Sequence, residues 1–100
     1  KSTITKILNT LLTPLEQETY LKIFDEIMAE RTAQITEWGG PDADDSNTKL
    51  DWVAYIVKHT GKAMTNPFNL DVFRYQMVRV AALAIAAIAT VDRQKADARN

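Results

Sequence analysis

The sequence predicts an all-α fold, a small bundle of about four helices in a single domain over residues 1–100. Apolar residues recur at intervals of three and four through most of the chain, and no segment alternates with the period of two that is typical of strands. The longest apolar segment, Phe73–Val91, is rich in alanine and apolar nearly all round. Such a helix needs neighbours on several sides, so we expect it to lie in the core.

The composition, 46% hydrophobic and 25% charged, is that of a soluble globular domain. A net charge of −1 gives no reason to expect membrane or duplex nucleic-acid binding. The absence of cysteine excludes disulfides and thiolate metal sites and favours a cytoplasmic location. Charge is unevenly spread, since residues 1–57 hold five basic against ten acidic residues and residues 58–100 hold seven against three. We therefore expect the two parts to face each other.

The first half of the chain predicts two helices. A short amphipathic helix over residues 3–12 carries an apolar stripe of Ile4, Ile7, Leu8, Leu11 and Leu12. Thr13 and Glu16 then form a capping box that begins a long helix from about Pro14 to Trp38. Glycine and proline at residues 39–41 end it. Its expected packing face consists of Tyr20, Phe24, Ile27, Arg31, Ile35 and Trp38.

The second half predicts two more helices after an acidic loop at residues 39–47. The third begins at Asn47 or Thr48, ends near Met64 and has two adjacent stripes. The first stripe is Leu50, Val53, Val57, Thr60 and Met64, and the second is Trp52, Ile56, His59 and Ala63. Within this helix Gly61 costs about 1 kcal/mol relative to alanine, which indicates either a close contact or a weak final turn.

The fourth helix is expected from about Leu70 to Gln94, capped by Asn66 or Asn69 and followed by a frayed tail. Its predicted seam is Phe73, Met77, Val80, Ala84, Ala87 and Val91. The bundle proper therefore spans residues 14–94. The apolar run at residues 80–91 is shorter than the roughly 20 residues that a membrane span needs, which favours a core helix.

The end of the second helix carries a spaced set of polar and aromatic residues, Glu30-Arg31, Gln34 and Trp38-Gly39. This set resembles the E-R-x-x-Q-x-x-x-W-G of some bacterial and phage proteins in the all-α nucleotide pyrophosphohydrolase (MazG-like) superfamily. Further along, Asp51-Trp52, Gly61-Lys62-Ala63 and Phe73-Arg74 are similar in order and spacing, so the resemblance covers roughly residues 24–92. It implies an all-α fold and a link to Mg²⁺-dependent nucleotide hydrolysis.

Members of that superfamily hold Mg²⁺ with E-E-x-x-E on one helix and E-x-x-D on the next, because a hard cation takes carboxylate oxygens. The positions that align here are Lys58, His59, Lys62, Gln76 and Arg79. None of them is acidic, so the resemblance implies a divergent, catalytically degenerate member without a metal cofactor. We expect Lys62 and Arg79 to replace the charge of the metal and to pair with Glu26 and Glu30 of the second helix.

The basic residues of the third and fourth helices are candidates for binding an anion such as a nucleotide phosphate: Lys58, His59, Lys62, Arg74 and Arg79. Trp52 and Tyr55 are candidates for stacking on a base. The other interpretation, which the sequence favours, is a solvated basic face with one internal ion pair. The absence of the metal-binding acids favours a protein that binds a partner protein or a nucleotide-like anion over an enzyme.

Two other functions stay open from the sequence. One is an active Mg²⁺-dependent nucleoside triphosphate pyrophosphohydrolase whose ligands are Glu26, Glu30, Asp45 and Asp51. The other is a structural oligomerisation module. The amphipathic N-terminal arm and the alanine-rich helix favour a homo-oligomer, most simply a dimer.

Overall fold

The computed structural model describes residues 3, 6, 10, 12–65 and 68–99, without the side chain of Arg99. The described residues form four delimited helices and no strand: α1 (Pro14–Trp38), α2 (Pro41–Asp45), α3 (Lys49–Met64) and α4 (Leu70–Arg99). The all-α prediction is therefore confirmed. Thr3, Lys6 and Thr10 are also helical, but the apolar stripe of the predicted N-terminal helix lies outside the described residues, apart from Leu12.

α1 begins and ends where the sequence places it. The Thr13 hydroxyl accepts a hydrogen bond from the Glu16 N–H (3.2 Å), and the Glu16 carboxylate accepts one from the Thr13 N–H (3.1 Å), so the capping box is present. The helix stops after Trp38 because Gly39 adopts a φ of 100°, in the left-handed region. A side chain at Gly39 would also collide with Ala43, whose Cβ lies 2.8 Å from the position of an added Cβ.

α2 was not predicted, since residues 39–47 were expected to form a loop. Pro41 occupies its first position, where the missing N–H of proline removes no helical hydrogen bond. Asp42 and Asp44 in its first turn interact favourably with the helix dipole. α3 then begins with a second capping box, in which Asp51 accepts from the Thr48 N–H at 2.8 Å. Of the two predicted caps, Thr48 is the one used.

α4 is the central helix, because it packs against α1, α2 and α3. Asn69 caps it by accepting a hydrogen bond from the Val72 N–H at 3.1 Å. The helix runs to Arg99, so the predicted end at Gln94 and the frayed tail are wrong. Residues 95–99 contain alanine, lysine and arginine without glycine or proline, and these residues continue a helix readily. By length and composition alone, Leu70–Ala98 would also be able to cross a membrane.

The rotation of the long helices differs from the prediction. α4 buries Gln76, Ala82, Leu83, Ala86 and Thr90. The predicted seam lies beside this stripe and is at least partly exposed at Phe73, Met77, Val80, Ala84, Ala87 and Val91. α1 likewise buries Gln34, while four residues of its predicted packing face are exposed: Tyr20, Phe24, Ile35 and Trp38. A helix that is apolar nearly all round gives no unique direction for packing, because several orientations bury similar apolar area.

The hydrophobic core is small. It consists of Trp52, Leu83 and Ala86, with Ile56 and Ala87 packed against them. Polar side chains complete the interior, since Gln34, Asp44 and His59 are as buried as the core residues. The helices therefore enclose a space that is partly polar, and four of the predicted site residues line it: Trp52, Tyr55, Lys58 and His59.

Candidate functional site

A cavity of about 470 Å³ lies between the C-terminal half of α1, α2 and α3, with Leu83 of α4 at its base. We call it the α1–α3 pocket. Its lining residues are Arg31, Trp38, Ala43, Asp44, Ser46, Asn47, Trp52, Tyr55, Lys58, His59 and Leu83. It thus contains both predicted stacking residues and two of the five predicted anion-binding residues.

The aromatic residues of the pocket divide into a buried and an accessible group. Trp52 packs in the core, and its ring meets that of Tyr55 edge to face at a centroid distance of 6.0 Å. Its indole N–H is buried without an acceptor among the described residues. Because the ring is engaged in the core, Trp52 has little surface left for stacking on a ligand. Trp38, which is 46% exposed, has that surface, although it was not among the residues predicted to stack on a base.

One basic side chain of the pocket has no carboxylate partner among the described residues. Arg31 and Asp44 form a mostly buried ion pair between α1 and α2. Lys58 is exposed at the rim and is not paired with a carboxylate in the described part of the chain. The Tyr55 hydroxyl donates to the Asn47 side-chain oxygen (3.2 Å), which fixes the loop between α2 and α3 against α3. The pocket therefore carries a small positive excess centred on Lys58.

His59 lies deeper, 4% exposed, with its Nδ1 3.0 Å from the side-chain oxygen of Gln76 on α4. Gln76 accepts, so Nδ1 carries the proton and donates. Burial lowers the pKa of His59, since the charged form loses its hydration, and the positive charges of Arg79, Lys62 and Lys58 act in the same direction. The hydrogen bond to Gln76 opposes this shift. His59 is therefore neutral at neutral pH and does not act there as a cation for a phosphate.

The remaining predicted anion-binding residues lie outside the pocket. Arg74 forms a two-pronged pair with Glu26 at 2.7 and 2.6 Å, which holds the pKa of Glu26 below its ordinary value. This pair borders a second cavity of about 430 Å³ between α1 and α4. Lys62 is exposed, and Arg74 rather than Lys62 is the residue that pairs with Glu26. The expectation that Lys62 pairs with one of the two glutamates, Glu26 or Glu30, is therefore wrong.

Arg79 lies between α1 and α4 as expected from its position in the stripe. Its Nε is 3.7 Å from the Glu30 carboxylate, and both side chains are mostly buried. Its guanidinium lies 5.8 Å from the ring centroid of Trp38 and 5.5 Å from that of Tyr75. The pairs made by Arg74, Arg79 and Arg93 join the basic part of the chain to the acidic part, which confirms that the two parts face each other.

The four acids of the alternative metal site are not assembled into one site. Glu26 pairs with Arg74, Glu30 with Arg79 and Asp45 with Arg93 (2.8 Å), while Asp51 caps α3. Among the described residues no group of three or more Asp, Glu or His side chains is placed to hold a metal ion. The geometry thus gives no support to a magnesium site built from these residues.

Comparisons of the chain with protein-family models, with curated proteins and with solved structures found no match. The resemblance to MazG-like proteins therefore stays a prediction from the residues that carry it. The case for a function depends on the geometry and chemistry of the α1–α3 pocket.

Proposed function

We propose that this protein is a non-catalytic binding protein that takes a nucleotide-like ligand, an aromatic base carrying phosphate, in the α1–α3 pocket. The observation that carries the proposal is that an exposed aromatic ring, Trp38, and a basic side chain without a carboxylate partner among the described residues, Lys58, line one cavity. A volume of about 470 Å³ lies within the range of sites for small molecules, roughly 300–1,000 Å³.

The two ends of such a ligand find different partners in the pocket. A base stacks on Trp38, or on the partly exposed ring of Tyr55, because any base offers a flat face to an aromatic side chain. A phosphate lies near Lys58 and within reach of the polar side chains of Ser46 and Asn47. Arg31 is already paired with Asp44, so it shapes the pocket and contributes little additional positive charge.

The proposal that the protein is non-catalytic is based on the interactions of its acidic residues. Hydrolysis by the MazG-like route needs carboxylates that converge on a metal ion, which then activates water. Here Glu26 and Glu30 of α1 and Asp45 of α2 pair with arginines, and Asp51 caps a helix. The same arginines supply the positive charge that a metal would otherwise bring, so we propose that the chain is a degenerate relative in which ion pairs stand in for the metal.

Binding is tested by the fluorescence of the two tryptophans during titration with nucleoside mono- and triphosphates, without metal. Lys58→Ala is expected to weaken binding about tenfold, because a charged hydrogen bond to phosphate contributes at least about 1.4 kcal/mol. Lys49→Ala is the matched control, since Lys49 lies on the same helix but does not line the pocket. Its affinity should equal that of the wild type.

Two results would contradict the proposal. Equal losses in Lys58→Ala and Lys49→Ala would mean that the nucleotide binds somewhere other than the pocket. Phosphate or pyrophosphate release with Mg²⁺ that disappears in Glu30→Gln would show an active enzyme and would support the magnesium-dependent alternative instead.

A further inference from the structure

α3 has a second apolar side that nothing in the described chain covers. We call it the outer face of α3; its residues are Leu50, Val53, Ala54, Val57, Gly61 and Met64, all of them exposed. At about 100° per residue these positions occupy one sector of the helix, opposite the side that lines the pocket. The sector contains no charged residue, and Val57 at its centre is 61% exposed.

The whole chain exposes more surface than is expected of a folded monomer of its mass. The chain exposes 7432 Å², whereas a folded monomer of 11.3 kDa is expected to expose about 5,700 Å². The difference, roughly 1,700 Å², is of the size that each subunit of an obligate homodimer buries. The chain therefore exposes more total surface than expected for its mass, by an amount that a second subunit would cover.

Gly61, which lies on the outer face of α3, gives a second reason to expect a contact there. It lies inside α3, where glycine costs about 1 kcal/mol relative to alanine. A Cβ added to it would meet nothing within 4 Å, so no contact with the described residues requires a glycine there. A helix of another molecule lying across this point would require one, because a small residue lets two helix backbones approach closely.

We propose that the outer face of α3 packs against the same face of a second copy of this chain, with the two α3 helices antiparallel across a two-fold axis. In a two-fold interface both subunits contribute the same face. A charged residue near the axis would therefore lie close to the same charged residue of the second copy. The absence of charge from the outer face suits this arrangement. The proposal is independent of the pocket, which lies on the opposite side of α3.

A single engineered thiol tests the geometry, since the chain contains no cysteine. Val57 lies at the centre of the face, so Val57→Cys should bring two thiols together near the axis and form a covalent dimer on mild oxidation. A disulfide requires Cα atoms within about 7 Å of each other, which makes the test specific for position. Met28→Cys is the control, because Met28 is also an exposed apolar residue but lies on α1. It should stay uncrosslinked.

Light scattering after gel filtration tests the association itself. The wild type should have the mass of two chains and Val57→Lys the mass of one, with unchanged helix content by circular dichroism. A wild-type mass of one chain at micromolar concentration would overturn the proposal, and would mean that another segment or a different partner covers the face. Equal cross-linking of Met28→Cys, or a two-chain mass for Val57→Lys, would overturn it as well.

If Val57→Lys does not fold, its mass gives no information about the interface and a further measurement is needed. The thermal unfolding of the wild type then decides, because the melting temperature of a dimer rises with protein concentration and that of a monomer does not. A melting temperature that is constant over a hundredfold range of concentration would overturn the proposal.

Discussion

The two sides of α3 are both rich in apolar residues, yet they meet different surroundings. The inner side carries Trp52 and Ala63 but also His59, and all three are buried. The outer face is apolar and uncharged, and it is exposed. Burial within the chain therefore depends on which side turns toward α4, not on hydrophobicity alone. A polar interior suits a small ligand, whereas an apolar exterior suits another protein chain.

The largest expected effect tests the inner side. Leu83→Ala should lower the free energy of unfolding by about 2–5 kcal/mol, because Leu83 is fully buried against Trp52 and its loss leaves a cavity. Urea unfolding followed by circular dichroism measures this loss. A cost below about 1 kcal/mol would mean that the core around Trp52 is not packed as described.

Leu50→Ala is the matched change on the outer face, where Leu50 is 80% exposed. At concentrations low enough to separate two copies it should cost well under about 1 kcal/mol, since little apolar area is buried in the single chain. At higher concentration the cost should grow, because the side chain is then covered. A cost that is large at every concentration would remove the contrast between the two sides.

Gly61→Ala has a modest effect, and its sign sharpens the comparison. In a separated chain it should stabilise α3 by up to about 1 kcal/mol, since alanine favours the helix and the added methyl group has open space. In a dimer that packs across Gly61 the same methyl group should weaken association. Melting temperatures at low and high protein concentration separate the two contributions. Stabilisation at both concentrations would exclude close packing at Gly61.

The smallest expected effect is the pH dependence of stability that results from His59 on the inner side of α3. Burial lowers the pKa of His59 in the folded chain below its unfolded value of 6.5, so the unfolded chain binds the proton more readily. Stability should therefore be constant above about pH 7 and should fall as the pH drops through 6.5 toward the lowered value. Melting temperatures between pH 5 and pH 8 should decrease by a few degrees over the acid part of that range.

His59→Gln is the control for this pH dependence. It keeps a group able to hydrogen-bond but removes the titration, so its melting temperature should change less between pH 7 and pH 5.5. A slope identical to that of the wild type would assign the pH dependence to other groups and would contradict the burial of His59.

Local chemistry made the two ends of α1 and the start of α3 predictable. Thr13 with Glu16 and Thr48 with Asp51 satisfy backbone N–H groups within the same few residues, so the sequence alone contains the whole interaction. The same holds for the end of α1 at Gly39. The ion pairs between the acidic and basic parts of the chain followed from the uneven charge, although Arg74, and not Lys62, proved to be the partner of Glu26.

Helix rotation and the pocket were not predictable in the same way. The orientation of α4 depends on the sum of many similar apolar contacts, so its sequence left Leu83 and Ala84 nearly equivalent, although only Leu83 is buried. Trp38 lines the pocket together with residues of α2. α2 has only five residues, and so short a helix leaves almost no periodic signal in the sequence. Residues far apart along the chain thus defined the site, and their meeting depended on packing.

The way α2 is held has a consequence for the response of the pocket to ionic strength. Asp44 pairs with Arg31 of α1 where both side chains are mostly covered, whereas Asp45 pairs with Arg93 of α4 near the solvent. Dissolved salt screens exposed charges over about 10 Å at 0.1 M but acts weakly on covered ones. Rising salt should therefore loosen α2 from α4 while it stays attached to α1. The wall of the pocket that α2 forms would then move together with Arg31.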